Sequence, residues 1–138
     1  MASVKLPQEE VSMEEIYQRA DVFTIHVPLN EETEFMLNDT FFDSFAKPIW
    51  FTNTARGKVL DTKALYKAIQ NGKVLGAALD VLENEKPNTW SEDFKTLIQQ
   101  LFDTEKFTIT PHVGGWTFES YLKINEVLTH KISNLKIV

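Results

Sequence analysis

Val74-Leu-Gly-Ala-Ala-Leu-Asp-Val81 is an apolar run without proline that carries one carboxylate near its end. Such a run predicts a buried strand, and its small residues would let a backbone or a ligand approach closely. It follows a predicted helix with one apolar face, which Asp61 would begin and Asn71-Gly72 would end. A second apolar run, Pro48-Ile-Trp-Phe-Thr52, precedes that helix. This order of strand, helix and strand is typical of a parallel sheet.

The same alternation continues on both sides of this unit. Residues 11–19 predict a helix with Ser12 as its N-cap and Glu15 completing a capping box. Asp21-Val-Phe-Thr-Ile-His-Val27 predicts a strand that Pro28 stops. The remaining predicted elements are a short helix with Phe41, Phe42 and Phe45, a helix around Phe94–Phe102, a strand over Phe107–Thr110, and an amphipathic helix over 117–135. We therefore expect one α/β domain over residues 1–138, with a parallel sheet that helices cover on both faces.

Composition excludes several classes of function. The 138 residues include 14 basic and 20 acidic ones, for a net charge of −6, so we expect no nucleic-acid surface. We expect no membrane contact, because there is neither an apolar run long enough to span a bilayer nor a basic-then-apolar leader. The lack of cysteine removes disulfides and thiol chemistry, and the three histidines show no metal-ligand spacing. These features fit a cytoplasmic protein without a metal.

The residues that follow each predicted strand are the candidates for chemistry, because ligands of parallel sheets bind at the carboxyl ends of the strands. These residues are His26-Val-Pro28, Asn53-Thr-Ala-Arg-Gly57, Asp80 with Glu83-Asn-Glu85, and Pro111-His-Val-Gly-Gly115. Polar and ionisable side chains thus cluster at the edge of the sheet where a ligand would bind.

Arg56 and His112 each have a functional and an ordinary interpretation. The Arg56 guanidinium could grip a carboxylate through two N–H groups, or it could form a surface ion pair. His112 could be a general acid–base, or a structural histidine that donates to a backbone carbonyl. The neighbouring Gly114 and Gly115 favour a functional His112, because they let a ligand approach the backbone at a helix N-terminus.

The carboxylates are less decisive. Glu85 lies in an acidic stretch and could simply be solvated. Next to His112, however, its carboxylate would orient the imidazole and stabilise the protonated ring. Asp80 ends an apolar strand, where a carboxylate needs a partner, although it could equally cap the following turn. His26 could be a structural histidine at the end of its strand.

Four strings, in order, resemble signatures of the D-isomer-specific 2-hydroxyacid dehydrogenases. They are Ala20-Asp-Val-Phe-Thr-Ile-His-Val-Pro-Leu29, Asn53-Thr-Ala-Arg-Gly57, Gly76-Ala-Ala-Leu-Asp-Val81 with Glu83-Asn-Glu85, and Thr110-Pro-His-Val-Gly-Gly115. The resemblance covers roughly residues 11–135. It implies a Rossmann-like parallel sheet with flanking helices, of which this chain carries the second half. It also implies NAD as cofactor, with NADP left open, a small 2-hydroxy or 2-keto acid as substrate, and a homodimer for the parent enzyme.

The resemblance implies a role for each matching residue. Arg56 would hold the substrate carboxylate, His112 would exchange a proton with the substrate oxygen, and Glu85 would support His112. Asp80 would bind the nicotinamide carboxamide. Further contacts to the dinucleotide would come from His26, Val27, Pro28, Thr54, Ala55, Arg56, His112, Gly114 and Gly115.

The chain also departs from the family pattern. None of its five glycines forms the G-x-G-x-x-G turn that seats the pyrophosphate. The acidic residue that binds the adenosine ribose has no counterpart either. The same is true of the separate substrate domain. The segment between Glu85 and His112 is longer than usual, and Trp116 stands where a small polar residue is common. Two interpretations stay open: a fragment of a longer dehydrogenase with little activity alone, or a non-catalytic module that binds NAD, dimerises or acts like the family's transcriptional corepressors.

Overall fold

The computed structural model describes residues 10–133 and shows strands alternating with helices. In chain order the elements are α1 (Met13–Arg19), β1 (Val22–Ile25), α2 (Asp39–Asp43), β2 (Ile49–Asn53), α3 (Thr62–Gln70), β3 (Val74–Leu79), α4 (Glu92–Asp103), β4 (Phe107–Ile109) and α5 (Phe118–Ser133). Short 3₁₀ helices, Gly57–Val59 and Pro87–Thr89, lie in the loops after β2 and β3. The order of elements is the one that the sequence predicts.

The four strands form one parallel sheet in the order β1-β2-β3-β4. Their register aligns Phe23 with Phe51, Phe51 with Ala77, and Ala77 with Phe107. Because all four strands run the same way, the loops that follow them meet at one edge of the sheet. The expected Rossmann-like parallel sheet with flanking helices is confirmed.

The hydrophobic core lies between one face of this sheet and the helices α2, α3 and α4. Phe41 is its aromatic centre, with its ring centroid 5.0 Å from that of Phe23 and 5.2 Å from those of Phe42 and Phe45. Aromatic pairs in such edge-to-face arrangements stabilise a core beyond the area they bury. The apolar side of α3 adds Ala64, Leu65, Ala68 and Ile69, which are all buried.

Helix caps fix where several helices begin. Ser12 accepts a hydrogen bond from the Glu15 backbone N–H at 3.3 Å, and Asp61 accepts from Lys63 and Ala64 at the start of α3. Each cap satisfies a backbone donor that the first turn of a helix leaves free. Both caps agree with the sequence-based prediction.

The opposite face of the sheet is not covered by any helix among residues 10–133, so the expectation of helices on both faces is wrong for that part of the chain. Trp50 is 55% exposed there, and Val22 and Leu75 are also exposed. None of the side chains of α5 is buried, so this helix does not provide the cover. The apolar pattern of the strands predicted that both faces of the sheet are buried. No helix within residues 10–133 covers the second face.

The strand ends differ from the predicted ones by one or two residues. Asp21, His26 and Val27 lie outside β1, and Asp80 lies just after β3, whereas Asn53 belongs to β2. The helix predicted around Phe94–Phe102 is confirmed as α4, with one more turn. Residues 134–135 of the last predicted helix, like both ends of the domain assigned to residues 1–138, lie outside the described residues. Among the described helices, none is long and apolar enough to cross a membrane.

Candidate active site

The loop after β2 is shaped by the side chain of Asn53, which is fully buried at the end of that strand. Its Oδ1 accepts from the Ala55 backbone N–H at 2.9 Å, and its Nδ2 donates to the Arg56 carbonyl at 3.0 Å. These two bonds fix the turn that presents Arg56. No role was assigned to Asn53 from the sequence, although a polar residue at an inward-facing position of an apolar strand was the signal for one.

Arg56 lies exposed at the carboxyl edge of the sheet. Its Nη1 donates to the Ala55 carbonyl at 2.7 Å, and within residues 10–133 it forms no ion pair with an acidic side chain. The surface ion pair, which was the ordinary alternative, is therefore not formed there. The neighbouring Gly57 allows close packing, because a Cβ on it would lie 1.8 Å from the Leu82 carbonyl oxygen. The Arg56 loop thus rests directly on the segment that follows β3.

Asp80 organises the loop that carries His112. Only 6% of Asp80 is exposed, and its Oδ1 accepts from the Thr110 hydroxyl and, at 2.9 Å, from the Val113 N–H. Its Oδ2 accepts from the Gly114 N–H at 2.8 Å. Burial alone would raise the pKa of Asp80, but these hydrogen bonds and the nearby His112 outweigh it and lower that pKa. The carboxylate is therefore charged at neutral pH.

His112 has a backbone φ of 53°, in the left-handed region that few side-chain-bearing residues adopt. Such a conformation costs on the order of 1–3 kcal/mol and persists only where the surroundings hold it. Here the His112 N–H donates to the Thr110 carbonyl at 2.9 Å, while Asp80 binds the loop on both sides of the histidine. The strained residue is held by its neighbours.

The His112 Nδ1 lies 3.0 Å from Oε2 of Glu85, and the two side chains are 47% and 45% exposed. With Nδ1 turned to the carboxylate, Nε2 is the ring nitrogen left to exchange a proton with a ligand. Glu83 has a different partner: its Oε1 accepts from the Thr62 N–H at 2.6 Å, at the first turn of α3. Of these two acids, Glu85 is the one that reaches the imidazole.

A cleft of about 430 Å³ lies beside His112 at the carboxyl edge of the sheet. Its walls come from the loops after β2, β3 and β4: Thr54, Arg56, Asp80, His112, Gly114, Gly115 and Trp116. Six of these were singled out from the sequence as catalytic or cofactor-binding residues. The seventh, Trp116, was noted for its unusual position and is exposed at the rim.

Five candidates do not line this cleft: Glu85, which contacts His112, and His26, Val27, Pro28 and Ala55. Ala55 packs into the hydrophobic core, and Val27 packs against it. His26 shares a hydrogen bond of 2.9 Å with the Thr24 hydroxyl, and the Pro28 carbonyl accepts from the Thr33 hydroxyl at 2.7 Å. His26, Val27 and Pro28 follow β1, farther along the same edge of the sheet, whereas Ala55 follows β2.

The donor set of the cleft fits a nicotinamide and a carboxylic acid. The Asp80 carboxylate can accept a hydrogen bond from the carboxamide N–H of a nicotinamide. The Arg56 guanidinium can bind the carboxylate of the acid. Nothing lies within 4 Å of a Cβ built on Gly115, so a flat ring has room beside that backbone. No group of three or more acidic or histidine side chains suited to a metal occurs within residues 10–133.

The fold and the site together define a Rossmann-like domain with a guanidinium and an imidazole–carboxylate pair at the carboxyl edge of its sheet. The family model described as D-isomer specific 2-hydroxyacid dehydrogenase, NAD binding domain, matches residues 2–114. The chain belongs to this family.

Individual relatives agree with this assignment. Glyoxylate reductase of Pyrococcus furiosus is 33% identical over 135 residues, which are 98% of this chain and 38% of the relative. D-3-phosphoglycerate dehydrogenase of Bacillus subtilis is 35% identical over 121 residues, 88% of this chain and 21% of the relative. The crystal structure of D-lactate dehydrogenase from Aquifex aeolicus with NAD and lactic acid superposes with a TM-score of 0.72 at 34% identity, over 89% of this chain and 39% of that one. The chain therefore spans less than half the length of these relatives.

Proposed function

We propose that this chain is the part of an NAD-dependent D-2-hydroxyacid dehydrogenase that holds the nicotinamide and the acid–base pair. The reaction is hydride transfer between the nicotinamide and the C2 carbon of a 2-hydroxy or 2-keto acid. One observation carries the proposal: the 3.0 Å contact between His112 Nδ1 and Glu85 Oε2 lies at the same sheet edge as Arg56. Family membership supports the same chemistry.

Arg56 binds the carboxylate of the acid substrate in this proposal. Its planar guanidinium can donate two parallel hydrogen bonds to a carboxylate, and no acidic side chain in the described chain competes for it. His112 lines the same cleft, so the carbon next to a carboxylate bound at Arg56 would carry its oxygen near the imidazole. The two residues together select acids with an oxygen on C2.

His112 moves the proton. During reduction its Nε2 donates a proton to the carbonyl oxygen of the 2-keto acid, and during oxidation the same nitrogen takes the proton from the hydroxyl. Glu85 holds Nδ1, which fixes the ring orientation and stabilises the imidazolium that forms in the oxidative direction. The Glu85 carboxylate acts on the substrate only through His112.

Asp80, Thr54 and the Gly114-Gly115 backbone hold the nicotinamide end of the cofactor. NAD, when bound, supplies or accepts the hydride, so the protein provides position and electrostatics. His26, Val27, Pro28 and Ala55, on the loops after β1 and β2, contribute contacts toward the rest of the dinucleotide. The sequence contains no pyrophosphate turn, so this chain alone binds the cofactor weakly, and NADP fits these contacts as well as NAD.

Ligand-induced NMR shifts of the 138-residue chain test the proposal. We expect NADH with a 2-keto acid such as glyoxylate to shift the signals of Thr54, Arg56, His112 and Gly114. In Arg56→Lys, which keeps the charge but loses the planar fork, the glyoxylate shifts should weaken at least several-fold while the NADH shifts persist. Shifts confined to other surfaces, or glyoxylate shifts that do not change in Arg56→Lys, would rule the assignment out.

We propose a second role, self-association, because one face of the sheet is uncovered. Trp50 and Leu75 expose apolar side chains on that face, and β1 is an edge strand of the sheet formed by residues 10–133. Such surfaces favour pairing of this chain with a further copy of itself.

Two further predictions complete the proposal. The homodimer that we propose for the parent enzyme rests on the family resemblance rather than on this face. The lack of cysteine fits the cytoplasmic location that we also propose.

Light scattering of the purified chain at increasing concentration tests self-association. We expect the mass to rise above that of a monomer, and Trp50→Lys to lower it again. A monomer at all concentrations contradicts self-association while leaving the dehydrogenase proposal intact.

A further inference from the structure

The Glu85 carboxylate reaches His112 from a loop, residues 83–90, whose conformation is fixed by its own hydrogen bonds. Glu85 itself is half-exposed, and a half-exposed ion pair contributes little unless its two partners are held in place. The position of Glu85 therefore depends on what holds the residues next to it. Two positions before Glu85, Glu83 is tied to the first turn of α3 through the Thr62 N–H.

Asn84, the residue directly before Glu85, is the centre of a hydrogen-bonded loop. Its Oδ1 accepts from the Lys86 N–H at 2.9 Å, so the Asn84 side chain bridges the residue that carries the carboxylate. Its Nδ2 donates to the Thr89 hydroxyl at 2.9 Å, and that hydroxyl donates to the Lys86 carbonyl at 2.8 Å. The backbone on both sides of Glu85 is thereby closed into a ring of polar contacts.

Trp90 ties this ring to the body of the protein. Its indole Nε1 donates to the Asn84 carbonyl at 2.9 Å, and its ring packs edge-to-face on Phe94 of α4 with centroids 5.3 Å apart. Phe94 in turn packs against the hydrophobic core. The indole N–H is thus the link between a rigid helix and the loop that positions the carboxylate.

Trp90 also bounds the space behind the imidazole–carboxylate pair. With Leu82, Pro87 and Ile109 it lines a mainly apolar cavity of about 370 Å³ that reaches both Glu85 and His112. An apolar wall on this side lowers the local dielectric around the hydrogen bond. Trp90 therefore has two ways to act on His112, although it does not touch the cleft that holds Arg56.

We propose that Asn84 and Trp90 are positioning residues that hold Glu85 against His112 and thereby set the tautomer of the imidazole. This inference rests on the proposed function, since it concerns the same acid–base pair. In a neutral imidazole one ring nitrogen carries the proton, and the hydrogen bond made by that nitrogen decides which one it is. With Glu85 in place, the neutral His112 carries its proton on Nδ1 and keeps Nε2 free as a base.

Long-range ¹H–¹⁵N NMR of the imidazole rings, recorded at a pH where they are neutral, reads this tautomer directly. His112 is identified by the loss of its signals in His112→Gln. We expect the Nδ1–H form in the wild-type chain and the loss of most of that form in Glu85→Ala. Trp90→Phe keeps the ring on Phe94 but removes the indole donor, and we expect it to shift His112 in the same direction as Glu85→Ala.

Two further variants make the test specific. Trp50→Phe is the matched control, because Trp50 lies on the uncovered sheet face, and its His112 tautomer should equal that of the wild type. Asn84→Ala should lose the Nδ1–H form, whereas Asn84→Asp, which keeps an acceptor for the Lys86 N–H, should recover most of it. A loss of packing alone would not produce this rescue.

The possible outcomes separate the inference from the proposed function. If Trp90→Phe and Asn84→Ala both keep the wild-type tautomer, the positioning role is wrong while the pair stands. If Trp90→Phe does not fold, the Asn84 variants decide alone, and an unchanged tautomer in Asn84→Ala overturns the inference. If the wild type and Glu85→Ala share one tautomer, the pair itself is absent, and the inference falls together with the proposed mechanism.

Discussion

The Asp80 carboxylate and the Gly114 backbone N–H are joined by a hydrogen bond of 2.8 Å between residues 34 positions apart in the sequence. The end of β3 is thus coupled to the loop that carries His112. One buried carboxylate lines the candidate cleft and also holds the loop of His112, the residue that we propose as acid–base. Changes at Asp80 should therefore affect stability as well as ligand binding.

Asp80→Asn should destabilise the chain by about 1–3 kcal/mol at neutral pH. Either orientation of the amide turns its NH₂ group toward a backbone donor, Val113 N–H or Gly114 N–H, which is then left without an acceptor. Urea unfolding at pH 7 measures the effect. Asp103→Asn, on the exposed end of α4, is the control and should change stability by no more than about 0.5 kcal/mol.

The difference between wild type and Asp80→Asn should disappear in acid. The pKa of Asp80 in the folded protein lies below its ordinary value of 3.8, so the contribution is fully present above pH 3.8 and is lost as the pH falls through the folded-state pKa. Unfolding free energies of both chains, measured from pH 7 downward, should therefore converge below pH 3.8. A difference that stays constant into strong acid would contradict the role of the charged carboxylate.

Gly114→Ala should disrupt the His112 loop, whereas Gly115→Ala should leave it intact. A Cβ on Gly114 would lie 2.9 Å from Asp80 Oδ2, while a Cβ on Gly115 has nothing within 4 Å. We expect a loss of about 1–3 kcal/mol for Gly114→Ala, together with weaker glyoxylate binding. Thermal unfolding of the two variants, side by side, measures the loss of stability, and glyoxylate titration of Gly114→Ala measures the loss of binding. Equal losses of stability in the two variants would show that the close approach to Asp80 is unimportant.

His112→Ala, in the complete enzyme that we propose as parent, should lower turnover by about 10²–10⁴-fold, as loss of a general acid–base typically does. Arg56→Ala should cause a loss at least as large, because the substrate carboxylate then has no bidentate partner. Steady-state NADH oxidation with 2-keto acids measures both. His130→Ala, on α5, is the control and should keep its activity; near-wild-type rates in either site variant would refute the assigned roles.

The 138-residue chain alone should oxidise NADH at a negligible rate. It has the residues that we propose to lie around the nicotinamide but no glycine turn to seat the pyrophosphate, so the cofactor would lack its main anchor. The same assay with glyoxylate, pyruvate or hydroxypyruvate measures this. Robust turnover would show that the described cleft binds the cofactor without that anchor.

The sequence predicted the sheet and the edge that carries the candidate site, because apolar runs and strand-end polar residues are local signals. The residue pattern alone could not separate Glu83 from Glu85, and the choice of Glu85 came from the family resemblance. Only the folded loop turns the Glu83 carboxylate to the Thr62 N–H and the Glu85 carboxylate to His112. The roles of Asn53 and Asp80 as organisers of their loops likewise depend on partners brought together by folding.

The coverage of the sheet was predicted wrongly for a related reason. Trp50 and Leu75 are apolar, as expected in strands of a sheet that is covered on both faces, yet both side chains are exposed. An apolar pattern states that a face avoids water, but not which segment of a protein covers it. In relatives that are more than twice as long as this chain, other segments are available for that purpose.

The exposure of α5 has a consequence for local unfolding. This helix of 16 residues buries none of its side chains, so its stability rests on its own hydrogen bonds and side-chain pairs, which are marginal for an isolated helix of this length. Local unfolding of α5 should let its amide hydrogens exchange with solvent. Their exchange should be much faster than that of the amide hydrogens of α3, whose apolar side is in the core. Hydrogen–deuterium exchange would then divide the molecule into a slow α/β body and a fast C-terminal helix, and slow exchange in α5 would reveal a partner surface that protects it.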